Sequence, residues 1–179
     1  MKKLVEMLVV AAMVVFLALP SEAQHKYVGV TMCSVCHKTE KQGKQFDIWK
    51  SSAHASAFKT LQSPKADEIA KAKGLKVKAS EAPECLQCHV TGYAADKALT
   101  SALKVEDGIQ CESCHGPGSD YKSIPVMKDK AKAEAAGLVL AAGDAKLCTQ
   151  CHNSKSPSYK EFNYKEAWAK IKHPIPAAG

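Results

Sequence analysis

Arginine is absent from this chain of 179 residues, so all 25 of its basic side chains are lysines. Arginine is the side chain best suited to bidentate contacts with phosphates and base edges, and its absence argues against nucleic acid as a partner. Aromatic residues are also scarce, at 6% of the chain. A domain of this length normally buries many aliphatic and aromatic side chains, so the composition indicates that something other than side chains fills the interior.

Long apolar runs are absent too, with one exception at the N-terminus. Lys2 and Lys3 precede an apolar run at residues 4–19 that only Glu6 interrupts, and small residues follow at 21–23. This order is typical of a secretory signal peptide. An uncleaved short anchor is the alternative interpretation, but the run is shorter than the ~20 residues that a membrane span needs. We predict a signal peptide at residues 1–23, export to the periplasm or the cell exterior, and no integral membrane segment after cleavage.

Cysteine, by contrast, occurs eight times and always in the same pattern. The four copies, called motifs 1 to 4 in chain order, are Cys33-Ser-Val-Cys36-His37, Cys85-Leu-Gln-Cys88-His89, Cys111-Glu-Ser-Cys114-His115 and Cys148-Thr-Gln-Cys151-His152. This is the c-type haem attachment signature, in which two thiols bind one porphyrin and the histidine ligates its iron. Zinc ribbons and disulfide frameworks also use paired cysteines, but neither explains the four histidines. We therefore predict four covalently attached c-type haems.

The spacing of the motifs predicts one domain with the haems at its centre. The motifs begin at residues 33, 85, 111 and 148, which leaves intervals too short for independent domains. Periodicity and capping signals indicate helices at residues 40–61, 65–73, 128–136 and 161–172, and no segment has a convincing strand pattern. The expected fold is mainly α, with short helices and loops wrapped around four closely packed haems. Residues 24–179 would form this single tetrahaem cytochrome c domain.

The supply of distal ligands is one histidine short. Three histidines lie outside the motifs, namely His25, His54 and His173, whereas four haems with two histidine ligands each would need four. A methionine or a neighbouring molecule's histidine would complete the remaining iron, or its sixth position would stay open for a small molecule. His25 lies at the extreme N-terminus of the mature chain, from where a tail can also reach a second subunit.

Several segments together resemble the tetrahaem cytochrome c-554 family. They are Trp49-Lys-Ser-Ser-Ala-His54-Ala, Cys85-Leu-Gln-Cys-His-Val-Thr-Gly-Tyr93 and Gly108-Ile-Gln-Cys-Glu-Ser-Cys-His-Gly-Pro-Gly118. The resemblance implies a mainly helical electron-transfer protein with stacked haem pairs. It also implies that His54 lies opposite His115 on the third haem and His173 opposite His152 on the fourth. The second haem, on His89, would be five-coordinate.

The chain departs from this family at one ligand. The family has a further histidine after the third motif that serves the first haem, and residues 119–130 contain none. Met127 is the available substitute, and methionine ligation would raise the potential of that haem. His25, from the same or a second molecule, is the competing donor, and an open position is the third alternative.

Three functional hypotheses follow, and we favour the first. It is an electron carrier in the periplasm between unidentified donor and acceptor proteins, and it needs no catalytic residue. The second is a reductase for nitric oxide or hydroxylamine at the open iron above His89. The third is a haem-conducting subunit of an extracellular assembly, joined through His25. The formal charge of +7 suits docking to acidic redox proteins, although roughly eight haem propionates would offset much of it.

Overall fold

The computed structural model describes residues 24–141 and 144–174. The predicted signal peptide lies outside these residues. Short helices make up the secondary structure of the described residues, which contain no β-strand. The first α-helices are α1 Val30–His37, α2 Gln45–Lys50, α3 Ala57–Leu61, α4 Pro64–Ala72, α5 Pro83–His89 and α6 Lys97–Thr100. They are followed by α7 Glu112–His115, α8 Ile124–Met127, α9 Lys130–Ala135, α10 Ala145–Thr149 and α11 Tyr164–Ile171, and 3-10 turns lie at Glu40–Gln42 and Val105–Asp107. The predicted mainly α fold is confirmed.

None of the helices in the described ranges is long and apolar enough to cross a bilayer. The longest has nine residues and is α4. Its start and end match the capping signals in the sequence. Ser63 accepts a hydrogen bond from the Ala66 amide at 3.2 Å, and Pro64 occupies the first turn. A proline there costs nothing because its missing N–H would have no helical partner.

The single helix predicted at residues 40–61 is wrong. The segment instead forms a 3-10 turn, α2, an irregular turn and α3. Gly43 and Lys44 both adopt positive φ angles, of 90° and 52°, which a right-handed helix cannot contain. The hydroxyls of Ser51 and Ser52 then donate to carbonyls of the preceding turn, at Asp47 and Trp49. Such side-chain bonds compete with helix propagation, so α2 ends at Lys50.

The two later helices form within the predicted ranges but are shorter. Residues 128–136 contain α9, and Gly137 follows it with a φ of 96°. Residues 161–172 contain α11, which begins after Asn163 because the Asn163 side chain caps the Glu166 amide at 3.2 Å. His173 lies just beyond the C-terminal end of α11.

The apolar core of the described residues is small and lies beside motif 2. Phe58 and Leu61 of α3, Ala70 of α4, Ala79, and Leu86 and Val90 at α5 form one buried cluster. Asp67 on α4 accepts a hydrogen bond from the Ala79 amide at 3.0 Å, which holds the connecting loop against that helix. The cluster therefore fixes the helix that carries motif 2 to its neighbours α3 and α4.

A buried polar cluster joins the other segments, and we call its residues Thr91, Gln110 and Glu112 the polar hub. The Gln110 amide donates to the Thr91 hydroxyl at 2.6 Å, and the Gln110 side-chain carbonyl accepts from the Val30 amide at 2.7 Å. The Glu112 carboxylate accepts three backbone N–H groups, from Val28, Gly29 and Gly118, at 2.7 to 2.9 Å. The hub thus ties the start of α1 and the end of α5 to motif 3.

Candidate haem-attachment sites

All four motifs present their cysteines and histidine from one helical turn. Motif 1 lies within α1 and motif 2 within α5, while motifs 3 and 4 use α7, α10 and the adjoining turns. In both of the latter, the histidine amide donates to the carbonyl of the first cysteine at 3.0 Å. Residues three and four apart lie on the same face of a helix. Both thiols and the imidazole of each motif can therefore meet one porphyrin.

The eight cysteines are all free thiols, and they lie near each other in a definite order. Each thiol stands where a haem thioether would form. The thiols of Cys33 and Cys111 lie close together, which places motif 1 beside motif 3. Cys114 lies close to Cys148, which joins motif 3 to motif 4.

Motif 2 meets motif 4 in the same way. Burial, together with the neighbouring Cys88 thiol, raises the pKa of the Cys151 thiol to about 11. Motif 1 therefore adjoins motif 3, while motifs 2, 3 and 4 adjoin one another, since the Thr91 hydroxyl after motif 2 also lies 2.8 Å from the Ser113 hydroxyl of motif 3.

Two motif histidines are oriented by backbone carbonyls. Nδ1 of His89 donates to the Ala57 carbonyl, and Nδ1 of His115 donates to the Val139 carbonyl, each at 2.8 Å. A hydrogen bond from Nδ1 leaves Nε2 as the metal-binding nitrogen, and metal-ligating histidines are usually held in this way. These two rings are therefore oriented for ligation.

Each of two other histidine rings faces a motif histidine. The ring centroids of His54 and His152 are 6.1 Å apart, and those of His173 and His115 are 5.8 Å apart. Two imidazoles that bind opposite sides of one metal through bonds of about 2 Å have ring centres roughly 6 Å apart. Ordinary aromatic pairs fall in the same range, but here both pairs join a motif histidine to a histidine outside the motifs. The described residues therefore fit two haems with paired histidine ligands.

These pairs reverse the assignment that the family resemblance implied. His54 was expected opposite His115, and its backbone does lie beside motif 3, since the Ile109 amide donates to the His54 carbonyl at 3.0 Å. The imidazole of His54 points the other way, to His152 of motif 4. Glycine at position 108 allows the His54 backbone to lie this close to the segment before motif 3, because a Cβ there would lie 2.7 Å from the His54 carbonyl oxygen.

Burial keeps one member of each pair neutral. The pKa of His54 is lowered by burial and then by the nearby His152. The pKa of His115 is also lowered, mainly by burial, although its bond to Val139 opposes the shift. A lowered pKa favours the neutral imidazole, which is the form that binds a metal.

The remaining candidate ligands lie elsewhere. The described residues show no ring contact between another imidazole and His37 or His89, in contrast to His115 and His152. Met127 is the last residue of α8 and is partly exposed. His25 contacts Asp120 of the same chain at 2.7 Å, which does not support the expected self-assembly through His25.

Two aromatic residues support the motifs in ways that the sequence did not indicate. The ring of Phe162 stacks on His152, with centroids 4.8 Å apart. Phe162 precedes α11 and His173 follows it, so these two residues do not share a face of that helix. Trp49 donates from Nε1 to the Ile109 carbonyl at 2.7 Å and so holds α2 against motif 3.

Comparison with known proteins identifies related chains. The family model described as cytochrome c554 and c-prime matches residues 32–116, a range that includes motifs 1 to 3. Cytochrome c-554 of Nitrosomonas europaea is 34% identical over 105 residues, which cover 56% of this chain and 42% of that protein. The C-type polyheme cytochrome OmcC of Geobacter sulfurreducens is 25% identical over 92 residues, or 45% of this chain and 11% of its own length. The matched parts thus span less than half of these curated relatives.

A solved structure resembles nearly the whole described chain. It is the reduced state of cytochrome c554 from Nitrosomonas europaea, with a TM-score of 0.50 and 25% sequence identity. The match covers 84% of this chain and 79% of that structure.

Proposed function

We propose that this chain, which matches the cytochrome c-554 family, is an exported c-type cytochrome that holds four haems and carries electrons between redox proteins of the periplasm. Haem attached through the eight cysteines would supply one-electron chemistry, since its iron changes between ferric and ferrous states. The observation that carries the proposal is the proximity of cysteines from different motifs, with motif 1 beside motif 3, motif 3 beside motif 4, and motif 4 beside motif 2.

Motif 4 needs its own argument, because the family-model match ends at residue 116. Its turn has the same hydrogen bond between histidine amide and first-cysteine carbonyl as motif 3. His152 also faces His54, and Cys151 of motif 4 lies close to Cys114 of motif 3 and Cys88 of motif 2. Motif 4 therefore lies beside two other motifs, and we propose that it binds haem as the other three do.

The polypeptide contributes a rigid frame and neutral ligands to this function. The polar hub joins the segments of motifs 1, 2 and 3 through buried hydrogen bonds between side chains and backbone amides. Because the motifs are held in this way, their histidines would move little when the iron of a bound haem changes between ferric and ferrous. A carrier with fixed sites fits these features, and no described residue other than the motif and paired histidines is needed for it.

The proposal is tested on the exported, haem-loaded protein. Its intact mass should equal that of residues 24–179 plus four haems, and it should fractionate with the periplasm. Low-temperature EPR should show that His54→Ala and His173→Ala each convert one low-spin haem to high spin, because each removes one axial ligand. Lys172→Ala, next to His173, is the matched control and should keep the parental spectrum.

The same spectra separate a carrier from a reductase. Four haems with unchanged spectra in both histidine variants would refute the ligand pairs, and a mass with fewer haems would refute the count. Addition of nitric oxide tests the alternative. Turnover of nitric oxide by the reduced protein would replace the carrier with the reductase, whereas simple binding without turnover supports the carrier.

A further inference from the structure

His25 is held by a carboxylate in the manner of a metal-ligating histidine. Its Nδ1 lies 2.7 Å from Oδ2 of Asp120, and Oδ1 of Asp120 accepts a hydrogen bond from the Ser119 hydroxyl at 2.6 Å. Two further bonds join the Lys26 backbone to Ser119, at 2.9 and 3.0 Å. Carboxylates commonly fix the tautomer and orientation of ligating imidazoles through Nδ1. Asp120 therefore directs Nε2 of His25 towards a ligand.

The contacts of the ring leave Nε2 accessible. A Cβ built on Gly137 would lie 3.4 Å from Nε2 and 3.5 Å from both Cδ2 and Cε1 of His25. Three nearly equal distances place this point over the face of the imidazole, whereas the lone pair of Nε2 lies in the ring plane. The side chain is 40% exposed. Gly137 thus packs on the ring without covering the nitrogen that binds metal.

The position of His25 relative to the motifs selects one haem. Residues 25–30 run along motif 3, because Lys26 bonds to Ser119 while Val28 and Gly29 bond to Glu112. The same segment leads directly into α1, whose Cys33 lies close to Cys111. His25 and motif 1 therefore both lie beside motif 3.

Elimination leaves motif 1 as the site that His25 can serve. His115 of motif 3 and His152 of motif 4 already face His173 and His54. Motif 2 also adjoins motif 3, through Thr91, but the segment that carries His25 leads directly into motif 1.

We propose that His25 is the distal ligand of the haem attached through Cys33, Cys36 and His37, and that Asp120 is its positioning residue. The inference rests on the proposed function, since it presupposes a haem at motif 1. It makes ligation intramolecular, and it assigns Met127 no ligand role. The sixth position at motif 2 then remains without a histidine.

The test compares His25→Ala, Asp120→Asn and Met127→Leu in the exported, haem-loaded full chain. His25→Ala should add one high-spin ferric haem per molecule to the EPR spectrum, and added imidazole should restore the low-spin signal. Met127→Leu should leave the spectrum unchanged, without loss of a near-infrared band from iron–methionine ligation. Asp120→Asn should keep that haem low-spin but raise its reduction potential, because the imidazole loses its anionic partner.

Opposite results would overturn the assignment. An unchanged spin state in His25→Ala, or a new high-spin haem in Met127→Leu, would show that His25 is not the ligand. A high-spin haem in His25→Ala that imidazole does not restore would indicate misfolding around motif 1 and also count against the proposal. Haem content, measured by intact mass, reports separately on the proposed function, because loss of the distal ligand leaves the thioether bonds in place.

Discussion

Glu112 is a buried carboxylate whose partners are all backbone amides. It is 2% exposed and lies between the two cysteines of motif 3, a position that the attachment chemistry itself leaves free. A buried charge is costly unless hydrogen bonds satisfy it. The three N–H groups that bind Glu112 come from the segment before α1 and from the loop after motif 3. One side chain thus holds motifs 1 and 3 at a fixed separation.

We expect Glu112→Gln to destabilise the haem-loaded protein by about 2 kcal/mol, because the amide group turns an N–H towards backbone donors. Glu112→Ala should cost more, since three buried N–H groups then lose their acceptor. Unfolding in guanidinium, followed by far-UV circular dichroism, measures both changes. Glu68→Gln on the exposed face of α4 is the matched control and should change stability by less than about 0.5 kcal/mol. Equal effects at positions 68 and 112 would contradict the role of the hub.

Among individual residues, the haem-attaching cysteines and histidines could be predicted from the sequence, but the buried polar residues that hold the motifs in place could not. Eight cysteines and four histidines follow from the motif alone, since the chemistry requires those residue types at that spacing. Gln110 is only 1% exposed, yet nothing in its neighbours distinguishes it from a surface glutamine. The Tyr121 hydroxyl donates to the Gly116 carbonyl at 2.6 Å, a contact that no local sequence pattern indicates. Burial of polar residues depends on long-range contacts that a local pattern does not contain.

Among the helices, those with explicit end signals were predicted best. Ser63, Pro64 and Gly74 define α4 to within one residue of the expected range. The segment at residues 40–61 has a helical period but also Gly43 and two serines, and these local bonds override the period. His54 consequently lies in an irregular turn, where its imidazole can face motif 4 while its carbonyl binds the segment before motif 3.

The cap of α11 provides a test of how a helix positions a ligand. Asn163 caps the Glu166 amide and donates to the Glu166 carboxylate at 3.0 Å. We expect Asn163→Ala to cost about 1 kcal/mol and to increase the high-spin fraction on warming, because fraying of α11 releases His173. Variable-temperature optical spectra measure this fraction.

Ser63→Ala is the matched variant for this experiment. It removes a similar cap from α4, a helix that carries no ligand, so it should cost about the same free energy without changing the spin state. If both variants alter the spin state to the same extent, global destabilisation explains the result and α11 has no particular role.

Over the whole molecule, the neighbours of a motif in space differ from its neighbours in the chain. The proximity of the motifs could be expected from the short intervals between them. The placement of motif 1 beside motif 3 could not, because it depends on the proximity of Cys33 to Cys111, which are far apart in sequence. A redox partner that docks beside a motif has a short route to the haem proposed there.

The surface at residues 71–78, near motif 2, is rich in exposed lysines. Lys71, Lys73, Lys76 and Lys78 are all exposed and surround Val77, which is itself 47% exposed. We call residues 71–78 the lysine segment. None of its four lysines forms an ion pair within the described residues. Burial raises the pKa of the Cys85 thiol, and Lys73 lies close enough to oppose part of that rise. A positive rim around an apolar centre favours rapid, transient docking of an acidic protein.

We expect Lys73→Glu with Lys76→Glu to slow reduction by an acidic electron-transfer protein about tenfold at low salt, because the field that steers the encounter is reversed. Stopped-flow mixing with a reduced acidic flavoprotein measures the rate. The double variant Lys128→Glu with Lys130→Glu changes the net charge equally, on exposed residues outside the lysine segment. That variant should retain a near-parental rate. At 1 M salt, where the Debye length is about 3 Å, the two variants should become alike. If the Lys128 and Lys130 variant is reduced more slowly than the Lys73 and Lys76 variant, docking occurs outside the lysine segment. The two variants have the same net charge and differ only in where the charge is changed.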